Sequence, residues 1–405
     1  MAEEHLEELA RLTETAGGEV AAILRQRIDA PNPRYFIGEG KAKELKTLAQ
    51  ESGANLCIFD DELSPAQGKN LEDLVGVRIM DRPELILDIF ATRARSRESK
   101  MQVELAQLEY LLPRLRRMWS HLSRIRGGIG LRGPGETQLE TDRRLIGTRI
   151  ADLKGKLSLV ARTRAVQRKG REGEFRAALV GYTNAGKSSL LQALSGAELF
   201  VEDRLFATLD SATRVVDLGS GHQALVTDTV GFIRKLPHHL IASFRSTLEE
   251  ARESDLLLHV IDASDPDWEE HREVVHEVLA ELDLSGRPQL LVFNKTDRIT
   301  HQEEEMLETR TRALEETPAV FVSAHRVTSL DKVRDALKAR IRARLKEIRV
   351  SVPAGDGETL ASLYRDGEVL SQRGEGPVVE VDVRIPAALI GRLQSRDGIE
   401  IRELT

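Results

Sequence analysis

The spacing of apolar residues alternates between two periods in the first 92 residues. Helix-like stretches with apolar positions three or four apart are separated by short runs that favour β-strands: Glu19–Arg27, Asn55–Asp60 and Val77–Asp81. Strands that alternate with helices are typical of a parallel sheet. Residues 1–92 are therefore predicted to form a small βα domain. Its glycine-containing turn at residues 37–41 has two interpretations, a helix cap or an anion contact.

A seven-residue apolar repeat follows between residues 93 and 171. Its first stripe advances in steps of four and three through Met101, Leu105, Leu108, Leu112, Leu115, Trp119 and Leu122. A second stripe lacks one apolar position, at Arg143, and runs through Leu139, Ile146, Ile150, Leu153, Leu157 and Val160. Such stripes are typical of coiled-coil seams. They predict an antiparallel helical hairpin with arms about 40 Å long, and Pro113 is expected to bend the first arm.

A glycine-rich loop, residues 127–135, joins the two predicted arms. Five glycines in nine residues leave the loop few side chains with which to fold itself. It follows a helix and not a strand, which argues against a dinucleotide-binding loop. A flexible connection and a segment that a partner orders both stay open. The second is favoured, because helix connections usually run ~2 to 8 residues and do not need an arginine such as Arg132.

Regular alternation of strands and helices characterises residues 174–346. Six apolar runs are predicted strands: Arg176–Gly181, Val215–Leu218, Ala224–Asp228, Leu256–Asp262, Gln289–Asn294 and Ala319–Ser323. This pattern predicts a doubly wound α/β domain. The tail, residues 349–405, has predicted strands near Val378–Ile385 and Ile399–Leu404 and is predicted to be a small α+β domain.

The length of 405 residues fits two to four domains. No apolar run approaches the ~18 residues that a membrane span needs, and the first residues are acidic where a secretory signal is basic. We therefore expect a cytoplasmic protein without membrane contact and a monomer in solution. The single cysteine, Cys57, cannot form an intramolecular disulfide and is expected to be an inert core residue.

Charge is distributed unevenly along the chain. The net charge is −7, yet residues 93–171 contain 20 Lys and Arg against 7 Asp and Glu, a balance of +13. The remainder therefore carries −20. Such segregation is typical of a protein with one element that faces a polyanion.

The run Gly181-Tyr-Thr-Asn-Ala-Gly-Lys-Ser188 matches the phosphate-loop pattern G-x-x-x-x-G-K-[ST]. It follows a predicted strand and precedes a predicted helix, which is the context that the motif requires. Backbone N–H groups would surround the phosphates, Lys187 would offset their charge, and Ser188 would ligate Mg²⁺. The predicted nucleotide contacts here are Gly181, Tyr182, Thr183, Asn184, Ala185, Gly186, Lys187, Ser188 and Ser189.

Asp228-Thr-Val-Gly231 lies at the end of the predicted strand Ala224–Asp228. At this position Asp228 can reach Mg²⁺ and the Gly231 N–H can sense the γ-phosphate. The segment between the phosphate loop and Asp228 contains two threonines suited to a mobile, Mg²⁺-contacting position. Thr208 is the first choice and Thr213 the alternative. The predicted catalytic residues are Lys187, Thr208, Asp228 and Gly231, and the predicted metal ligands are Ser188, Thr208 and Asp228.

Asn294-Lys-Thr-Asp297 follows a predicted strand and indicates the base. The Asp297 carboxylate can accept from guanine N1–H and its amino group, donors that adenine does not present there. Ser323-Ala-His325 follows the last strand and matches a backbone contact to guanine O6. The predicted base contacts are Asn294, Lys295, Asp297, Ser323, Ala324 and His325.

These motifs together resemble the HflX family of ribosome-associated GTPases, over most of the chain. The specific part of the resemblance lies in Tyr35-Phe-Ile-Gly-Glu-Gly-Lys41, Arg93-Ala-Arg-Ser-Arg-Glu-Ser-Lys100, Gly127-Gly-Ile-Gly-Leu-Arg-Gly-Pro-Gly-Glu136 and Leu139-Glu-Thr-Asp-Arg-Arg144. The resemblance implies binding to the large ribosomal subunit, insertion of the hairpin loop towards the peptidyl-transferase centre, and separation of stalled or idle ribosomes.

The charge pattern points independently to structured RNA, which proteins recognise largely by shape and phosphates. The predicted RNA contacts are Arg116, Arg117, Arg124, Arg126 and Arg132. A protein-docking switch that uses the apolar heptads is the alternative.

The residue after Gly231 is Phe232, where many GTPases carry a glutamine that orients the attacking water. A phenyl ring cannot do this, so hydrolysis must depend on backbone groups, Mg²⁺ or a partner. Asn184 matches an asparagine that holds K⁺ in several related GTPases, which makes K⁺ a candidate cofactor.

Overall fold

The computed structural model describes the chain except residues 1, 119–133, 170–173, 198–203, 220–221, 238–239, 241–249, 315, 395, 397 and 405. Two compact units result. The first comprises Met1–Val166, Phe200–Ser211 and Thr229–Glu249, and the second comprises Gln167–Leu199, Ala212–Asp228 and Glu250–Thr405.

The first unit begins with a two-stranded parallel sheet and four helices: α1 Ala2–Thr15, α2 Glu39–Ser52, β1 Leu56–Phe59, α3 Pro65–Val75, β2 Arg78–Asp81 and α4 Arg82–Arg93. Ser64 starts α3 through a reciprocal capping box with Gln67, and the Asp81 carboxylate caps α4 at the Glu84 N–H. Such caps satisfy backbone donors that a helix leaves unpaired. The predicted βα organisation is therefore observed, with Cys57 half-buried on β1.

The predicted strand over Glu19–Arg27 is wrong. These residues adopt no regular structure and are mostly exposed. Strand propensity takes effect only where a neighbouring strand accepts the hydrogen bonds, and no described strand pairs here. The turn at residues 37–41 starts α2, with Gly38 at the N-cap donating its N–H to Gln26 Oε1 at 3.1 Å. This agrees with the helix-cap interpretation.

Two long helices form the predicted hairpin, α5 Arg97–Met118 and α6 Pro134–Lys169. Helix α5 continues through Pro113. Glu98 near the start of α5 pairs with Arg164 near the end of α6 at 2.7 Å, and Glu109, later in α5, pairs with Lys154, earlier in α6, at 2.8 Å. This order shows that the helices are antiparallel. A third ion pair joins Glu104 to Arg149 at 2.7 Å. Residues 127–133 of the predicted tip loop lie outside the described residues, whereas Pro134 and Gly135, predicted to be in the loop, already belong to α6.

The heptad prediction fits the two helices unequally. In α6 the less exposed positions include Ile146, Ile150, Leu153, Leu157 and Val160, as predicted. In α5 the predicted position Leu105 is buried, but the other described positions of the stripe are only partly buried. The buried residues outside the predicted stripe are Glu98, Ser99, Gln102, Val103, Ala106 and Tyr110. The reason is that α5 also packs against α3 and α4, which widens its buried face beyond a coiled-coil seam.

Two segments from the middle of the chain complete the first unit. Phe206 packs edge-on against Phe90 with ring centroids 4.7 Å apart. Arg82, 1% exposed, forms ion pairs with Glu8 and Asp60 and donates to the carbonyl of Arg234. Both segments belong to residues 174–346 in the sequence but pack with the N-terminal residues.

The second unit contains a six-stranded sheet in the order β4-β5-β3-β6-β7-β8. Its strands are β3 Phe175–Gly181, β4 Ala212–Gly219, β5 His222–Asp228, β6 Leu256–Asp262, β7 Gln289–Asn294 and β8 Ala319–Phe321, all parallel except β4. The helices are α7 Lys187–Ser195, α8 Trp268–Glu281, α9 His301–Leu314 and α10 Asp331–Arg342. Because β3 is flanked by β5 and β6, the loop after β3 lies at the switch point where such sheets bind ligands.

The tail of the second unit is a four-stranded antiparallel sheet in the order β10-β11-β9-β12. Its elements are β9 Leu345–Pro353, α11 Gly357–Asp366, β10 Glu368–Glu375, β11 Val378–Pro386, α12 Ala387–Gln394 and β12 Glu400–Glu403. The sequence predicted β11 and β12 but missed β9 and β10. Within the described part of the chain, no helix has the length and hydropathy to cross a bilayer.

Candidate nucleotide-binding site

The loop after β3 can only be built with glycine at its two ends. A Cβ on Gly181, at φ +150°, would lie 2.3 Å from the carbonyl oxygen of Val260 on β6. A Cβ on Gly186, at φ +89°, would lie 2.3 Å from Asn294 Nδ2. Both distances are far shorter than van der Waals contact, so no residue with a Cβ fits at either position and glycine is required at both.

Lys187 begins α7 and turns its ammonium group back over the loop. Its Nζ donates to the carbonyls of Gly181 at 3.1 Å and Tyr182 at 2.8 Å. Burial lowers the pKa of Lys187 to about 8, while Asp228 opposes the shift and Lys295 adds to it. A buried cation at a helix N-terminus is suited to phosphate oxygens, which would restore its charge balance.

Ser188 and Asp228 meet beside this lysine. The Ser188 Oγ donates to Asp228 Oδ2 at 2.5 Å, and Asp228 is 1% exposed at the end of β5. One hydroxyl and one carboxylate oxygen form the oxygen donor set that Mg²⁺ prefers, with its remaining positions left to water and phosphate. These two residues therefore fit the metal that the sequence predicted.

Asn294 connects the phosphate loop to the last loop of the sheet. Its Nδ2 donates to the carbonyl of Ala185 at 3.0 Å, and its Oδ1 accepts from the Ala324 N–H at 3.1 Å. One buried side chain thus ties together two of the predicted nucleotide-binding segments.

Lys295 forms a second connection. Its Nζ donates to the carbonyl of Asn184 at 2.8 Å and pairs with Asp262 at 2.7 Å. Sequence reasoning missed Asp262. The signal that could have found it is its place at the carboxyl end of β6, the same sheet edge as Gly181 and Asn294.

Asp297 lies in a short 3-10 turn after β7, where it accepts a hydrogen bond from Ser323 Oγ. Burial acts to raise the pKa of Asp297, but the bond from Ser323 and nearby positive charge lower it below its usual range. The carboxylate is therefore ionised at neutral pH and available as an acceptor. Ser323 Oγ also accepts from the His325 N–H at 3.1 Å, which orders this loop.

Thr208 and Gly231 belong to the first unit, and their contacts with nucleotide stay predictions. Thr213 lies in β4, where its Oγ1 is 2.8 Å from Thr227 Oγ1. Because this bond holds Thr213 within the strand, Thr213 is poorly placed to move when nucleotide binds. This favours Thr208 as the mobile threonine that contacts Mg²⁺. Phe232 is 1% exposed.

The predicted RNA contacts fall where the structure gives no side chains. Arg116 and Arg117 are in the last turn of α5 without described side chains, and Arg124, Arg126 and Arg132 lie outside the described residues. These contacts stay predictions.

Comparison with known proteins covers most of the chain. Residues 3–91 match the family model GTP-binding GTPase N-terminal, residues 93–171 match GTP-binding GTPase Middle Region, and residues 176–295 match 50S ribosome-binding GTPase.

Several curated relatives are similar over nearly the whole length. GTPase HflX of Magnetococcus marinus is 43% identical over 98% of this chain and 92% of the relative, and GTPase HflX of Escherichia coli K12 is 43% identical over 95% and 90%. GTPase HflX of Flavobacterium psychrophilum is 50% identical over 74% of this chain and 72% of the relative. Enzymes with a phosphate-loop GTPase fold use GTP with Mg²⁺. The chain therefore belongs to the HflX family and is a GTPase.

Proposed function

We propose that this GTPase binds the large ribosomal subunit and uses GTP binding and hydrolysis to split or recycle stalled or idle ribosomes. In this proposal the loop at residues 127–135 inserts into ribosomal RNA near the peptidyl-transferase centre. The observation that carries the proposal is the antiparallel pair α5 and α6 within a segment whose net charge is +13. The match of residues 176–295 to a model described as 50S ribosome-binding GTPase supports the same partner.

The ion pairs of the hairpin leave its positive excess for RNA. Four of its seven acidic residues are paired with basic residues of the hairpin itself: Glu98, Glu104, Glu109 and Asp152. Each pair is partly exposed and contributes modestly to stability. Arg116, Arg117, Arg124, Arg126 and Arg132 are the proposed contacts with the phosphates of the RNA.

The nucleotide site would work by positioning and charge. Lys187 would bind the β- and γ-phosphates, Gly231 would donate its N–H to the γ-phosphate, and Ser188, Thr208 and Asp228 would hold Mg²⁺. Mg²⁺ neutralises phosphate charge when bound. Asp297 would accept from guanine N1–H and its amino group, and adenine would be disfavoured because it does not present these donors.

Intrinsic hydrolysis is expected to be slow, because Phe232 cannot orient the attacking water. A partner that orders the site would then raise the rate, as partners do in other GTPases. Asn184, at φ +60°, is the proposed ligand if K⁺ takes part.

Sedimentation through sucrose gradients with purified large subunits tests the proposal. The protein should co-sediment with a non-hydrolysable GTP analogue and much less with GDP, and Lys187→Ala should lose the difference. Added subunits should raise the hydrolysis rate. If subunits neither bind the GTP form nor stimulate hydrolysis, the ribosomal function is wrong while the GTPase assignment stands.

A GTP-regulated protein-docking switch is the second candidate. The observation in its favour is a set of exposed apolar side chains on the hairpin arms: Leu111, Leu145, Leu159 and Val166. Binding to a helical partner in the absence of RNA, with an affinity that is insensitive to salt, would support it.

A further inference from the structure

The phosphate loop carries an aromatic residue that stacks on a neighbouring helix. The Tyr182 ring lies parallel to the imidazole of His271, with centroids 3.8 Å apart and planes 13° apart. Tyr182 is 7% exposed, and His271 Nδ1 is 3.4 Å from Asp265 Oδ2. The imidazole is therefore held between a carboxylate and the loop.

The backbone of the same tyrosine shapes the phosphate-binding part of the loop. Its carbonyl accepts from Lys187 Nζ at 2.8 Å and from the Ala185 N–H at 3.3 Å. Any rotation of Tyr182 about its backbone would therefore displace the carbonyl that orients the lysine.

The helix that carries His271 also contacts the base side of the site. Trp268, three residues earlier on α8, packs edge-on against Phe293 with centroids 5.2 Å apart. Phe293 stacks on Phe321 at 4.8 Å and immediately precedes Asn294. Residues three apart share one face of a helix, so this face of α8 supports the phosphate loop at one point and the base-binding strands at another.

We propose that His271 is a positioning residue for nucleotide phosphate binding. Its stack on Tyr182 holds the loop between Gly181 and Lys187 in the conformation that receives the β-phosphate. Trp268 performs the corresponding task for the base-binding strands through Phe293. His271 itself does not touch the nucleotide.

Pre-ordering explains why a residue without ligand contact would matter. A loop closed by glycines at both ends has a large conformational freedom, and phosphate binding must restrain it. A stack made before binding removes part of that cost, so losing it weakens binding of every ligand that uses the loop. The expected loss is about three- to tenfold in affinity, which corresponds to ~0.6 to 1.4 kcal/mol.

Competition against a fluorescent GDP analogue tests the proposal by comparing GTP, GDP and GMP. GMP lacks the β-phosphate and depends mainly on the base contacts. His271→Ala should weaken GTP and GDP three- to tenfold and change GMP less than twofold. Trp268→Leu should weaken all three ligands by similar factors.

Two further variants separate positioning from loss of stability. His271→Phe keeps a stacking surface and should restore most of the GDP affinity, and Tyr182→Leu should reproduce the His271→Ala pattern. His276→Ala is the matched control, since this histidine lies on the same helix but packs against His259, at 5.6 Å between centroids. It should leave the GDP to GMP affinity ratio unchanged even if it lowers the melting temperature.

Specific results would overturn the proposal. One is an unchanged GDP affinity in both His271→Ala and Tyr182→Leu. Another is a loss that is equal for GDP and GMP, or a GDP affinity that His271→Phe does not restore. These results concern nucleotide binding alone and leave the proposed ribosomal partner untouched.

Discussion

The carboxylate of Asp210 holds the start of the first hairpin arm, because its Oδ2 accepts a hydrogen bond from the Ser96 N–H at 3.1 Å. The same oxygen accepts from the Arg95 N–H at 3.1 Å. Thr208 lies two residues before Asp210 and two residues after Phe206, and Phe206 packs on Phe90. The proposed switch threonine is thus flanked by two anchors on the N-terminal half of the chain. Movement of this threonine would be transmitted to the joint between α4 and α5.

Asp210→Ala should destabilise the first unit. It removes at least the two backbone hydrogen bonds from Arg95 and Ser96 to a charged acceptor that is half-buried, so the expected loss in the free energy of unfolding is about 1 to 2 kcal/mol. Urea denaturation measures this loss, and Asp210→Asn should retain part of the stability because one acceptor oxygen remains. A loss below about 0.3 kcal/mol in Asp210→Ala would show that the anchor is unimportant.

The same interaction should depend on pH. Burial acts to raise the pKa of Asp210, but hydrogen bonds from Ser96, Ser99 and Arg95 outweigh it and lower the pKa. The stabilisation is therefore complete above the unfolded carboxyl pKa of about 3.9 and is lost as the pH falls through the lower folded value. The stability difference between wild type and Asp210→Ala should shrink in that acidic window.

Nucleotide affinity should fall at alkaline pH because of Lys187. Its pKa in the nucleotide-free protein is lowered by burial to about 8, and bound phosphates would raise it. Binding then takes up a proton above pH 8, so GDP affinity should decrease by up to about tenfold per pH unit until the bound-state pKa is reached. Fluorescent GDP titrations from pH 7 to 10 measure this.

Lys187→Arg provides the control, since arginine stays charged throughout this range. Its affinity should be lower overall but nearly independent of pH. Folding stability of the nucleotide-free wild type should change with pH in the opposite direction to GDP affinity. Between about pH 8 and 10.5 the unfolded chain binds more protons than the folded one at Lys187, so the free energy of unfolding should rise across that window. A flat GDP affinity up to pH 10 in the wild type would contradict the assignment.

Gly186→Ala should damage the site far more than the matched change Gly196→Ala. Both glycines have positive φ, +89° and +67°, so each alanine pays a similar backbone strain of about 1 kcal/mol. Only the Gly186 Cβ would collide with a neighbour, Asn294 Nδ2 at 2.3 Å, whereas the Gly196 Cβ meets nothing within 4 Å. GDP titration should show at least a tenfold loss for Gly186→Ala and less than twofold for Gly196→Ala. Similar losses in both would assign the effect to strain.

The sequence predicted the GTPase sheet well for a physical reason. Its central strands are buried on both faces and so appear as short, continuous apolar runs with clear ends, and β6 and β7 match their predicted bounds. Each motif directly follows such a strand, which places Gly181, Asp228 and Asn294 at one sheet edge. The edge strand β4 begins three residues before its predicted bounds, because the polar residues Thr213 and Arg214 interrupt the apolar pattern there.

Other features depend on contacts that local pattern does not encode. The run Glu19–Arg27 has strand propensity but no described partner, and the buried face of α5 follows from α3 and α4. Asp262 becomes part of the site only because β6 lies beside β7, which brings it to Lys295. The packing of Phe206 on Phe90 joins residues more than a hundred positions apart.

Removing residues 127–135 should separate nucleotide chemistry from ribosome splitting. The loop contains none of the predicted nucleotide-binding residues, so its deletion should leave GDP affinity and intrinsic hydrolysis within about twofold of wild type. Lys187→Ala, in contrast, should abolish nucleotide binding. The deletion should abolish splitting of ribosomes, measured by light scattering. Replacing the loop with nine glycine and serine residues keeps the connection length and should fail equally, since Arg132 and the natural backbone are gone. Full splitting by that replacement would show that the loop is only a connection, and equal loss of GTP hydrolysis and splitting in the deletion would refute the separation of the two functions.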